Sequence, residues 1–173
     1  MRHVISVLLQ NEVGALTRMT GLFSTRGYNI DSLNVAPTDD PKVSRVTLVV
    51  NGSDASIAQL NTQLAKLVDV VNIHDMTLGD HFESELVMIK LSIDKQNYSK
   101  LKKMVDSFGA TILDNEFKSF TVQLINDSKV VENFIISIAS IGHIAAVARS
   151  GSVAVSKGEV TLSSYVEQHK LTG

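Results

Sequence analysis

Residues 11–40 read NEVGALTRMTGLFSTRGYNIDSLNVAPTDD and follow the apolar run HVISVLL of residues 3–9. That run has the near-continuous apolarity of a strand buried on both faces. A polar loop comes next, and then Ala15, Leu16, Met19, Leu22 and Phe23 recur at helical spacing. Gly27 closes the helix in the expected place, and Tyr28–Ala36 reads as a second strand with Ile30, Leu33 and Val35 apolar. Such a loop presents free backbone N–H groups at a helix N-terminus, where an anionic group can be held without a charged side chain. Gly14 lacks the Cβ that would block close approach of a ligand or a second backbone. An ordinary strand-to-helix connection has the same spacing, so the pattern supports a ligand site without identifying the ligand.

Working outward, Pro37 and the Asp39-Asp40-Pro41 cluster punctuate a turn, and Val43–Val50 is the next strand. Asp54 is the expected N-cap of a helix bearing Ile57, Leu60, Leu64, Leu67 and Val68. Val70–Leu78 makes a last strand. The order strand-helix-strand-strand-helix-strand then starts again. Leu86–Ile93 is a strand, and Tyr98, Leu101, Met104, Val105 and Phe108 mark a helical face closed by Gly109. Thr111–Leu113 and Phe120–Ile125 are strands around a polar turn. Asp127 caps a helix carrying Val131, Phe134, Ile135 and Ile138, with Gly142 at its end, and Ile144–Ala148 supplies the final strand. Val153 and Val155 extend that strand in this reading.

The expected fold class is α+β, two ferredoxin-like βαββαβ units. Residues 1–78 form the first, residues 79–158 the second, and residues 159–173 a polar tail. Split-βαβ units leave one sheet face without helices, so apolar strands of this kind predict pairing with another surface and at least a homodimer.

Composition narrows the function. The chain has 173 residues, 44% hydrophobic and 20% charged, which describes a globular protein. A formal net charge of −2 supplies no electrostatic reason to expect nucleic acid or an anionic membrane. With no cysteine, disulfides, thiolate metal sites and a cysteine nucleophile are excluded. The N-terminus lacks the pattern of a signal peptide and no apolar run approaches the ~20 residues of a membrane span, so a soluble cytoplasmic protein is expected.

Reactive groups are scarce. The five histidines (His3, His74, His81, His143 and His169) are scattered, none paired at a metal-ligand spacing; no metal site is expected, and His74 and His81, which bracket the joint between the halves, read as surface or capping residues. Asp39-Asp40 beside two prolines reads as a turn before it reads as a cation site. Ser150-Gly151-Ser152 is no nucleophile elbow, and no phosphate-binding glycine loop is present. Ferredoxin-like folds also serve RNA-binding modules and acylphosphatases. The central strands VISVLL and SRVTLVV carry no aromatic platform for bases, and the Gln10–Gly14 loop has no arginine for phosphate. No catalytic residue is assigned, and what remains is small-molecule binding coupled to protein contacts.

The 11–40 string, followed by SRVTLVV (44–50), QLAKLVDV (63–70) and VARSG (147–151), resembles the small regulatory subunits of acetolactate synthase, also called acetohydroxyacid synthase. The resemblance covers residue 2 to about residue 158. It implies an N-terminal ACT domain and a C-terminal ferredoxin-like unit. It also implies a non-catalytic chain that stimulates a large catalytic subunit and confers feedback inhibition by valine, or by leucine or isoleucine, in branched-chain amino-acid biosynthesis. Thiamine diphosphate, FAD and magnesium then belong to the catalytic partner, with no cofactor in this chain. The implied effector site lies between two ACT domains of a dimer. Asn11, Val13, Gly14, Ala15 and Leu16 come from one protomer, and Asn29 and Ile30 from the other. In that reading N–H groups near Gly14 and Ala15 hold the effector carboxylate, and the Asn11 and Asn29 amide oxygens accept from its ammonium. The alternatives are capping by Asn11, backbone satisfaction beside Gly27 by Asn29, and pure turn geometry at Gly14. Val13 departs from the small residue or proline of many relatives and is expected to narrow the pocket mouth. A free-standing ACT-type amino-acid sensor, controlling another enzyme or a transcription factor, is the competing function.

Overall fold

The computed structural model describes residues 1–116, 118–159 and 162, and it divides into two compact units. The first comprises Met1–Phe82 with the described residues from Val153 onward, and the second Glu83–Ser152.

In the first unit, strand β1 (Arg2–Gln10) leads through the glycine loop into helix α1 (Ala15–Thr25), followed by β2 (Ile30–Pro37), β3 (Val43–Asn51), α2 (Asp54–Leu64) and β4 (Val70–Asp75). The sheet order is β2-β3-β1-β4 with every neighbouring pair antiparallel. Ala15, Met19 and Phe23 of α1 and Ile57, Leu60 and Leu64 of α2 recur every three or four residues, so each helix buries one stripe. They pack on Ile5, Val7, Leu9, Val46, Leu48 and Val50, which alternate along the two central strands. Gly27 ends α1 at φ +71°, a conformation open to glycine, and there the Tyr28 N–H reaches back to the Phe23 carbonyl at 2.9 Å.

Two expectations need correction. Ser53, not Asp54, is the N-cap of α2: its extended backbone lets Oγ accept from the Ser56 N–H, and Asp54 becomes the first helical residue. β4 stops at Asp75, because that carboxylate caps a single 3₁₀ turn, Met76–Leu78. Val153–Ser156 forms a strand of its own, β9, after a break at residues 150–152; it pairs with the strand His81–Ser92, the same one that carries the second unit's last strand, and is grouped with the first unit. Ala154 joins Val4, Val49 and Met76 in a small apolar cluster on the sheet face opposite the helices, and Arg45 Nη1 donates to the Ala154 carbonyl at 3.5 Å. Asn72 Nδ2 donates to the Leu162 carbonyl at 3.1 Å. Tyr165 to Gly173 of the expected tail lie outside the described residues.

The second unit repeats the plan with β5 (His81–Ser92, which spans the division), α3 (Tyr98–Phe108), β6 (Thr111–Glu116), β7 (Ser119–Asn126), α4 (Ser128–Ala139) and β8 (His143–Arg149). Its sheet order is β6-β7-β5-β8. Gly109 closes α3 at φ +67°, and Asp127 caps α4 by accepting from Lys129 N and Val130 N. Phe120, Phe134, Ile89 and Leu101 are among its buried residues, and the Phe108 and Phe134 rings meet at 5.2 Å. The face of this sheet away from the helices exposes Met88 and Ile125.

Candidate functional site

The Asn11–Leu16 loop is anchored at both ends. Gln10 N donates to the Asp69 carbonyl at 2.8 Å, and Asn11 N to the Lys42 carbonyl at 2.7 Å. Asn11 spends its amide Nδ2 on the Pro41 carbonyl (2.9 Å), which points this side chain away from a capping role at α1. Gly14 is the N-cap of α1 at φ +85°, with no side-chain cap. A β-carbon there would stand 2.8 Å from Arg18 Nη1, so glycine is required twice, by backbone conformation and by space. The Ala15 N–H is already engaged by the Glu12 carbonyl at 3.2 Å. Leu16 and Thr17 are the first-turn residues whose N–H groups have no acceptor within the helix. Ala15 is buried in the core, Leu16 lies partly exposed, and Val13 stands fully exposed at the loop tip, clear of the core.

Beneath this loop is a feature the sequence reading missed. Arg18 Nε donates to Asp69 Oδ2 at 2.5 Å and Nη2 to Oδ1 at 2.8 Å, a bidentate pair. The Asp69 side chain is 5% exposed and that of Arg18 49%. The hydrogen bond from Arg18 holds the Asp69 carboxyl below the ordinary carboxylate range, and the same bond raises Arg18. The two residues are remote in sequence, and no spacing rule joins them.

Asn29 and Ile30 lie elsewhere in the same unit. Asn29 is exposed and donates Nδ2 to Asp31 Oδ1 at 2.8 Å, which serves no backbone group beside Gly27. Ile30 is half-buried against the core. On β3, Ile30 is opposite Val50 while Gln10 is opposite Val43. At ~3.3 Å per residue those two ends of the strand are about 23 Å apart. One protomer therefore does not bring the two groups of expected site residues together.

Polar clusters elsewhere have local work. His3 is buried at the start of β1 with Nδ1 and Nε2 each 3.3 Å from a carboxylate, Asp75 and Asp54. The Asp39-Asp40 turn is a turn in fact, with the Asp40 carboxylate accepting from Lys42 N. Within VARSG, Arg149 makes a second bidentate pair, Nε to Glu85 Oε1 at 2.7 Å and Nη2 to Oε2 at 3.0 Å, and gives Nη1 to Glu132 Oε2 at 3.0 Å. The Glu85 hydrogen bonds raise Arg149 above its ordinary value. Nearby, Glu83 Oε1 accepts from the hydroxyls of Ser128 and Ser152. Among the described residues no cluster of histidine and carboxylate side chains suits a metal ion, and no helix is long and apolar enough to cross a membrane.

Comparison with known proteins places both units. Residues 5–72 match the family model of the AHAS small subunit-like ACT domain, and residues 84–158 match that of the small subunit of acetolactate synthase. The acetolactate synthase isozyme 3 small subunit of Escherichia coli (strain K12) is 43% identical over 159 residues, which is 92% of this chain and 98% of the relative. The acetolactate synthase small subunit of Haemophilus influenzae is 41% identical over the same shares. In structure, the acetolactate synthase small subunit from Thermotoga maritima superposes with a TM-score of 0.82 at 28% identity, covering 92% of this chain and 99% of that one. Two ferredoxin-like units in this order, each matched by its own model and both spanned by full-length relatives, leave one conclusion: the chain belongs to the acetolactate synthase small-subunit family.

Proposed function

We propose that this chain is the non-catalytic regulatory subunit of an acetolactate synthase, acting in the cytoplasm on a large catalytic subunit. The observation that carries the reading is likeness to acetolactate synthase small subunits over both units rather than over the ACT portion alone. In this reading the catalytic partner holds thiamine diphosphate, FAD and magnesium. The first unit senses the effector, and the second contributes to stimulation of the partner.

The effector is a branched-chain amino acid, valine in the first instance, bound between two copies of the first unit. Strand β2 is a sheet edge, and β1 and β2 run parallel with the two residue groups at opposite ends. A two-fold pairing of β2 edges would bring Asn29 and Ile30 of one copy to the Asn11–Leu16 loop of the other. The Leu16 and Thr17 N–H groups would then face the carboxylate, with the Asn11 and Asn29 amide oxygens left for the ammonium. Apolar enclosure of the branched side chain is worth ~1–3 kcal/mol, enough to prefer valine over alanine but weak against leucine or isoleucine.

The test mixes the purified chain with the catalytic subunit and measures acetolactate synthesis with and without valine. Stimulation by this chain, and inhibition by valine only when it is present, is expected. Absence of both stimulation and co-elution overturns the assignment in favour of a free-standing amino-acid sensor.

A further inference from the structure

The guanidinium of Arg18 is fixed from one side by Asp69, and the Glu12 carboxylate of the loop also acts on it through space. Asp69, nearly buried, takes Nε and Nη2. The third nitrogen, Nη1, is turned toward Gly14, 2.8 Å from where a β-carbon on that residue would stand. Asp69 also ties down the loop itself, since its carbonyl accepts from Gln10 N at the end of β1. A cation in the first turn of a helix opposes the helix dipole and persists where an anion compensates it. Asp69 is that anion, and it leaves two N–H donors on Nη1 beside the loop.

We propose that Arg18 reads the carboxylate of the amino-acid effector through Nη1, and that Asp69 is the residue that positions it; this rests on the Asn11–Leu16 loop being the effector site. The planar fork of arginine suits the task, because one edge can be locked while the third nitrogen stays available at a defined place. Glycine at position 14 then has a further purpose: it leaves the Nη1 approach clear. The site accordingly requires a carboxylate on its ligand, not merely an ammonium and a branched side chain.

The holoenzyme assembled from the full chain and the catalytic subunit is titrated with valine and with valinamide, which keeps the ammonium and the side chain. Inhibition is expressed relative to each variant's own valine-free rate. The unmodified chain should respond to valine at concentrations about tenfold or more below those for valinamide. Arg18→Gln should raise the half-inhibiting valine concentration about tenfold or more and bring the two ligands together. Arg18→Lys, which keeps the charge without the fork, should fall between and guards against a folding defect in the glutamine variant. Asp69→Asn should shift valine less than Arg18→Gln, and adding it to Arg18→Gln should shift valine no further. The proposal is overturned if Arg18→Gln retains either the original half-inhibiting concentration or the original valine-to-valinamide ratio. If Gly14→Asp abolishes inhibition while Arg18→Gln does not, only the arginine assignment falls. If both remain inhibited as the unmodified chain is, the loop is not the effector site.

Discussion

The two units share a topology, a core pattern and one bidentate arginine–carboxylate pair apiece, yet the pairs differ in what is left over. Arg149 gives Nε and Nη2 to Glu85 and Nη1 to Glu132, so all three of its nitrogens are taken by carboxylates. Arg18 gives Nε and Nη2 to Asp69 and turns Nη1 toward a glycine. The connections into the first helices differ in the same sense. In the second unit β5 reaches α3 through a 3₁₀ turn, Lys95–Asn97, without glycine, and Asn97 Nδ2 is spent on the Ile141 carbonyl. In the first unit the corresponding connection bends through Gly14 at φ +85°. One copy of the fold has consumed its polar groups internally, and the other presents them. On the reading proposed above, what sets a sensing copy of this scaffold apart from a supporting one is a glycine and a guanidinium nitrogen that has no carboxylate partner among the described residues.

The largest expected effect breaks the first side of this comparison. Gly14→Asp places a carboxylate beside Arg18 Nη1, where it occupies the donor and repels the effector by up to ~4 kcal/mol at an effective dielectric of 20. A non-glycine residue at positive φ adds strain of about 1–2 kcal/mol. Valine inhibition of the reconstituted enzyme should disappear, and inhibition at the original valine concentration would show that the loop has been misassigned.

The second unit supplies the counterpart. Arg149→Gln leaves Glu85, 4% exposed, without its cation. Stripping a buried ion of its partner costs 3–5 kcal/mol; because Arg149 is itself 38% exposed, about 2 kcal/mol is expected. Urea unfolding should register that loss while the half-inhibiting valine concentration stays put. A large change in valine response would erase the division of labour between the units.

Two smaller effects sharpen the picture. Asn29→Ala should weaken valine inhibition by the ~0.5–1.5 kcal/mol of one hydrogen bond, read as a rightward shift of the titration rather than its loss. Acid should act through Asp69. Its carboxyl is held below the ordinary range when folded, so the stabilisation is complete above the unfolded-state value near 3.8 and fades as pH falls through the lower folded value. Asp69→Asn should lower the thermal midpoint at pH 7 by an amount that shrinks below about pH 4, so the variant loses part of the acid sensitivity of the unmodified chain.

Much of the fold was legible because its signals are local. Gly27 and Gly109 end their helices where the apolar stripes stop, and Asp127 caps α4 with its own carboxylate. The loop at Gly14 was legible for the same reason, being a strand, a glycine and an apolar stripe in succession. What escaped depends on sequence-distant neighbours. Nothing near Arg18 announces Asp69, and nothing near His3 announces Asp75. The apolar alternation of Val153 and Val155 marks a strand, which pairs with β5, but it cannot say that Ala154 settles against Val4 and Val49. Ser53 and Asp54 are both good caps in composition; only the extended backbone at Ser53 decides between them.

The return of β9 to the first unit has a consequence for how the molecule is made. The second unit is one uninterrupted stretch, Glu83–Ser152, whereas the first is closed only when Ala154 meets Val4 and Val49. Contacts of such long sequence separation form late, because the intervening chain must be ordered before they are rewarded. During synthesis the N-terminal half therefore emerges first and is completed last. Until then Val4, Val49 and Met76 lack the Ala154 contact, and the nascent first unit is the stage of this chain's life most exposed to aggregation. Pulse proteolysis during refolding would detect this as protection of the second unit preceding protection of β1.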